Sequence, residues 1–351
     1  MKRNVFLLAV FAMLILAGVG CIQIGKAPQQ GIDGGVFASS DNGQTWAQSN
    51  AAPTAQGIGS ISGINVMDLV FDPQDNGAIY LASAGNGLFY TWDGAKSWYY
   101  VAGLGDGFVN SVAVDYKNKC VIYAALQNKI WKSTDCNRSW KTLYYDTRTN
   151  AYISAIAVDP ANSNIVYAGL SVGDMLKSTD AGASWLTVNR FDNKIVKILI
   201  NPSNSSTILA ATESNGLWKS ADSGKKWTDL RSKMTDFGGS NEIYDLDIDK
   251  WAKTIYLTSK YGITKSANFG DSWSKVDLLT PPGSTRIYSF AVNPNNSSEI
   301  YYSTASTFYS STNGGTNWGT KKLPTGRAGT ALLVDPKDGN LIYLGTRQFK
   351  K

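Results

Sequence analysis

Seven times along this chain a Ser or Thr is followed two residues later by Asp or Asn, usually then by Gly, and five residues after the Asp or Asn by Trp. The copies open at Ser39, Thr91, Ser133, Ser178, Ser220, Ser266 and Ser311. They place the acid or amide at Asp41, Asp93, Asp135, Asp180, Asp222, Asn268 and Asn313. They end at Trp46, Trp98, Trp140, Trp185, Trp227, Trp273 and Trp318, so successive Trp residues are 52, 42, 45, 42, 46 and 45 positions apart. A repeat of this period restricts the chain to architectures built from stacked or radially arranged supersecondary units.

A second motif keeps step with the first: an apolar strand ending in Asp or Asn, usually followed by Pro, then a polar turn and another apolar strand. Examples are Val70-Phe71-Asp72-Pro73, Ile156-Ala157-Val158-Asp159-Pro160 and Leu333-Val334-Asp335-Pro336, with further copies ending at Asp115, Asn201, Asp249 and Asn293. Each repeat therefore reads as four short strands, A to D, rich in β-branched and aromatic residues. Four-stranded units repeated radially are the blades of a β-propeller, which leaves only short sheet edges. The segment 332–346 supplies strands A and B with no box after them, and the box at Ser39 has no A and B strands before it. The two ends should complete one blade. The expectation is an all-β, seven-bladed propeller over residues 35–351.

The boxes themselves read as structural. Asp or Asn accepts backbone N–H groups across a turn, Gly supplies positive φ, and Trp buries a large apolar surface. One carboxylate per box is too few for a calcium site, so no metal and no cofactor is expected.

Ser-x-Asp-x-Gly-x-Thr-Trp, as at Ser39 to Trp46, is the Asp-box or BNR repeat. The chain resembles the Asp-box propellers: sialidases, xyloglucanase-type glycosidases, the sortilin ectodomain, and most of all the photosystem II stability and assembly factors. That resemblance implies the propeller fold and, for the assembly factors, an arginine-rich face that docks a membrane-protein partner. The sialidase Phe-Arg-Ile-Pro-like motif is absent. Where the xyloglucanase family has a catalytic Asp in an early loop, the stretch Tyr80 to Gly87 places Ala84. Both departures count against a hydrolase.

Lys2 and Arg3 precede an apolar run from Val5 to Gly20, then Cys21. This is a secretory signal layout for residues 1–20, and Leu16 to Cys21 is similar to a lipobox. Cys21 would then be lipidated, with residues 21–34 as lipidated Cys and tether, placing the protein outside the cytoplasm on a cell-envelope membrane. The other reading is an uncleaved anchor. Cys120 and Cys136 fall in one blade, on turns of the same end, and an exported chain permits a disulfide between them. The chain has no His, which excludes imidazole bases and Ser-His-Asp catalysis. The net charge of +6 suits an anionic partner, but export argues against nucleic acid.

In such a blade the A–B and C–D turns share one end and the B–C and D–A connections the other. The D–A connections are read as 47–65, 99–108, 141–152, 186–195, 228–242, 274–286 and 319–329. Arg148, Arg190, Arg231, Arg286 and Arg327 lie in five of them, and Arg347 lies on the same side. Guanidinium forks suit carboxylates, phosphates and sulfates and stack on aromatic rings, for which Tyr145 and Tyr152 are at hand. The leading expectation is a monomeric, non-enzymatic scaffold docking an extracytoplasmic part of a membrane protein or complex. The alternative is a carbohydrate-active protein, an acidic-glycan binder or a glycoside hydrolase, with candidate acids at Asp106, Asp174, Glu213, Glu242 and Asp277.

Overall fold

The computed structural model describes residues 33–249 and 253–349. The signal, Cys21 and most of the tether lie outside the described residues. Seven four-stranded antiparallel sheets follow one another along the chain. Blade 2, for example, contains Val109–Val114, Ile122–Leu126, Lys129–Ser133 and Lys141–Tyr145. The first strands of neighbouring blades touch one another all the way round, so strand A of every blade lines a central channel. Among the described residues the one helical turn is the 3-10 turn Arg231–Lys233.

The ring closes as the half-blades at the two ends require. Gly35–Ser39 pairs antiparallel with Ile342–Arg347, which in turn pairs with Ala328–Val334, and Ala47–Gln48 completes the sheet. One element was not expected, a hairpin of Ala51–Thr54 with Gly57–Ser60 in the link from this blade to the first. A second difference is in the D–A connections. Their first residues form strand D: Lys141–Tyr145, Leu186–Arg190 and Gly319–Lys322 all pair with strand C. These strands bury no residue fully and show no clean hydrophobic alternation by which a sequence would betray them.

The two motifs have separate duties. In the box at Asp180, Oδ1 accepts the Ser184 N–H at 2.8 Å and Oδ2 accepts the Ser184 hydroxyl at 2.6 Å, while Ser178 Oγ accepts the Gly182 N–H at 2.7 Å. Gly43, at φ 81°, is required twice over, because a Cβ there would also collide with the Phe308 ring of the preceding blade. The Asp ending strand A is buried and folds its own turn. Asp115 Oδ1 accepts the Lys117 N–H at 2.7 Å and the Ser163 hydroxyl of the next blade at 2.9 Å. Tyrosines of strand B then strut blade to blade: Tyr123 donates to the Ala181 carbonyl and Tyr167 to the Ser223 carbonyl, at 3.0 and 2.9 Å.

A pH dependence follows. Hydrogen bonds from Thr45, Ser139 and Ser184, hydroxyl first and N–H second, hold Asp41, Asp135 and Asp180 down at about 2. An unfolded Asp titrates near ~3.9. Folded-state pKa values below that stabilise the ring above about pH 4 and lose their contribution as pH falls towards 2. In the Asn268 box the amide oxygen still accepts the Ser272 N–H and its NH₂ donates to the Ser272 hydroxyl. Asp180→Asn should therefore fold at pH 7 and show a shallower acid limb in a urea-midpoint-against-pH profile. An unchanged acid limb would overturn this assignment.

Among the described residues, in six blades the residue after the box Asp or Asn donates its N–H to a carbonyl of the A–B turn, as Ala181 does to Asn164 and Ser223 to Ser206. In blade 2 the residues at those positions are Cys136 and Cys120, and the structure joins them in a disulfide. The bridge makes covalent a clasp that other blades make with a hydrogen bond. With the cysteines 16 positions apart, chain-entropy reasoning gives about 3 kcal/mol. The double Cys→Ser variant should show that loss in denaturant unfolding without reductant, and the wild type should match it once reduced.

Candidate functional site: the D–A end of the channel

The six arginines lie in D–A links or at the ends of strands B and D, and they do not form a uniform crown. Arg148 and Arg190 share the buried Asp174. Arg148 Nη2 lies 2.6 Å from Asp174 Oδ2 and Arg190 Nε 3.0 Å from Oδ1. Arg148 also forks onto Asp146, which the guanidinium bonds hold down at about 2. Arg231 binds Asp229 and Asn215 and lies over the Trp218 ring. Arg327 is turned inward. It is only 8% exposed, sits 3.5 Å from Asp33, and reaches the Ile64 carbonyl and Asn65. A Cβ on Gly34 would collide with it, so Arg327 braces the N-terminal strand against the first blade and is not available to a partner.

Arg286 and Arg347 differ from the rest. Among the described residues neither has a carboxylate within ion-pairing distance. The exposed Arg286 guanidinium stacks 4.2 Å from the Tyr244 ring and 5.5 Å from Tyr288. Tyr288 packs on Phe349 at 5.3 Å, and Arg347 lies 4.9 Å over Phe349 with one nitrogen on the Met67 sulfur. Burial pulls the Arg347 pKa down. The result is a ladder of rings and guanidinium planes along the channel mouth, spanning blades 5, 6, 7 and 1. Ring contacts orient both cations. A pocket of about 340 Å³ adjoins the ladder, lined by Lys194, Glu213, Glu242, Tyr244 and Arg286. The pKa of the Glu242 carboxylate, which lines the same pocket as Arg286, is lowered by its bond to Lys260 and in part by the Arg286 charge.

Tyr145 and Tyr152 lie apart from this ladder. Tyr145 is 54% exposed beneath the Lys129 ammonium, and the half-buried Tyr152 donates its N–H to Ser171. Sequence reasoning missed Tyr244, Tyr288 and Phe349. The available signal was Arg286-Ile287-Tyr288 leading into the strand Ser289–Asn293, since residues two apart in extended chain share a face.

The five candidate acids are all engaged. Asp174 holds two arginines, Glu213 pairs with Lys194 at 3.0 Å and Asp277 with Lys275 at 2.6 Å. Glu242 pairs with Lys260 at 3.2 Å, and that bond keeps its pKa below the usual carboxylate value, the reverse of what a general acid needs. Asp106 accepts the Tyr100 hydroxyl at 2.8 Å. Deeper in the channel, Lys197 pairs with Asp245 at 3.5 Å, and burial pushes the Asp68 carboxyl up.

No protein-family profile matches the chain. A probable oligoxyloglucan-reducing end-specific xyloglucanase of Neosartorya fischeri is 39% identical over 70 residues, 20% of this chain and 8% of its own length. A xyloglucanase of Hypocrea jecorina is 29% identical over 150 residues, 36% of this chain and 18% of its own. Among solved structures, the GH74 xyloglucanase of Xanthomonas campestris superposes with a TM-score of 0.67 at 17% identity over 81% of this chain and 51% of that one. YCF48 bound to a D1 peptide gives 0.59 at 16% over 82% and 94%, and YCF48 from Cyanidioschyzon merolae 0.61 at 15% over 80% and 95%. The chain thus spans about half of the xyloglucanase structure and a small part of its curated relatives, and it shares its propeller fold with both groups.

Proposed function

We propose that the protein is a non-enzymatic binding scaffold that docks a carboxylate-bearing segment of a membrane protein or complex on its D–A end. The observation that carries this reading is the pair of guanidinium groups of Arg286 and Arg347, each held against aromatic rings with no carboxylate within ion-pairing distance among the described residues. Arg and Tyr are the residue types that anchor protein interfaces. The near-complete overlap with YCF48, solved with a bound peptide, supports the same reading. The scaffold acts as a monomer, exported and held to the membrane through Cys21.

The test is crosslinked capture of membrane proteins on the full chain beside Arg286→Ser/Arg347→Ser. Charge-assisted hydrogen bonds contribute about 1.5–3 kcal/mol each, so the double variant should hold its client at least about tenfold less well. Equal capture on both would overturn the docking site. Cys21→Ser should move the protein from the detergent to the aqueous phase, and an unchanged partition would overturn the lipid anchor. The carbohydrate-active reading draws on the partial xyloglucanase matches, and release of reducing ends from xyloglucan or an acidic glycan would replace the scaffold reading with it.

A further inference from the structure

The repeats supply their own control for what a blade needs. The residue before the box is Ala38, Lys132, Lys177, Lys219, Lys265 or Ser310 in six copies. The box's second residue is Ser40, Thr134, Thr179, Ala221, Ala267 or Thr312, and the residue after its Trp is Ala47, Lys141, Leu186, Thr228, Ser274 or Gly319. In the first blade alone these three places hold Tyr90, Trp92 and Tyr99. Six blades form without a single aromatic there, so the propeller does not require these rings.

The three rings come together. Trp92 and Tyr99 stack with centroids 4.0 Å apart and planes at 15°, and Tyr90 lies 5.6 Å from Trp92 and 5.8 Å from Tyr99. Tyr90 and Tyr99 are cross-strand partners. Trp92 remains 53% exposed. With Tyr99 against one face of the indole, the surface left open is the opposite face and its edge. The A–B turn of the same blade runs beside the Trp92 backbone, since a Cβ on Gly77 would lie 3.0 Å from the Trp92 carbonyl and 3.4 Å from the Asp75 carboxylate. That turn carries Asp75, paired at 3.3 Å with Lys119 of the next blade, and both are solvent-accessible.

We propose that Tyr90, Trp92 and Tyr99 form a platform for the pyranose rings of a neutral, β-linked glycan. A pyranose with equatorial substituents presents a flat face of C–H groups, which an open indole matches through dispersion and its negative π face. Its hydroxyls project at the ring edge, where a carboxylate and an ammonium can accept and donate. Because Asp75 and Lys119 neutralise each other, the rim selects no charge, which favours a neutral chain over an acidic glycan or peptide. The near-parallel rings offer a flat surface, whereas a polyproline segment docks into an aromatic-lined groove. The platform stands at the Asp-box end of the blade, opposite the arginine ladder, so the two surfaces can be occupied together.

The test is affinity gel electrophoresis of the full chain in gels containing barley β-glucan, xyloglucan or, as a linkage control, dextran. The variant Tyr90→Lys/Trp92→Thr/Tyr99→Lys installs residues that other blades already carry, and Trp92→Thr alone serves should the triple variant misfold. A β-glucan should retard the wild type and Arg286→Ser/Arg347→Ser equally. Retardation should weaken about tenfold or more in the platform variants. No retardation of the wild type, equal retardation of the platform variants, or equal retardation in dextran would overturn the proposal. So would loss of protein-client capture in the platform variant with glycan binding intact.

Discussion

Trp98→Ala is expected to destabilise the ring by about 3–5 kcal/mol, the range for deleting a fully buried large aromatic. The other six box tryptophans are half-buried, but Trp98 is 1% exposed. The reason is the hairpin of Ala51–Thr54 and Gly57–Ser60, which among the described residues has no counterpart in the other blades. Its approach brings the Ala51 carbonyl to the Trp98 N–H and the Ser49 carbonyl to the indole N–H, each at 2.8 Å. The ring shares a core cluster with Val36 and Tyr343 of the closing blade and with Ile61 of the link, so it joins the first blade to the last. Trp185→Ala removes the same side chain from a half-buried site and should cost clearly less. Urea unfolding of the two variants checks this. Equal losses would show that the hairpin adds nothing to the seam.

Ending the chain at Asn340 should abolish the cooperative fold altogether. The removed strand, Ile342–Arg347, is an inner strand of the closing sheet, with five register pairs to Gly35–Ser39 and six to Ala328–Val334. Ile342 and Leu344 are fully buried, Tyr343 is 1% exposed, and the Tyr343 hydroxyl reaches the Gly94 carbonyl of the first blade. Without it the N-terminal strand has lost its partner and two blades expose the faces they bury against each other. Unpaired strand edges of that kind are aggregation-prone. Rapid proteolysis and loss of the unfolding transition are expected, with recovery on adding a peptide covering residues 336–351. A truncated chain that unfolds like the wild type would mean that closure is not what holds the ring.

The repeat count, the four-strand unit and the closing blade were legible because their chemistry is local. A box closes on itself within eight residues: Asp41 answers Ser39 and Thr45, and Gly43 answers Ser39. The strand-A turn does so within three, as when Asp335 accepts from Lys337 and Asp338. Even the Cys120 and Cys136 pairing was legible, since it follows from which turns share an end. Strand D was not, because residues such as Thr228–Asp229 or Ser274–Lys275 pair through the backbone and display no buried face.

At the site the division falls elsewhere. The chain order of the repeats, by itself, determined a seven-bladed closed ring. Only the tertiary structure decided what each guanidinium does there. Asp174 stands across the strand pair from Arg190 and also meets Arg148, Arg327 meets Asp33 across the seam, and Arg286 and Arg347 meet rings. A turn selects its hydrogen-bond partners from its own next few residues. A long cationic side chain takes its partner from whichever strand or blade the closed ring brings beside it, and that neighbour is set by packing.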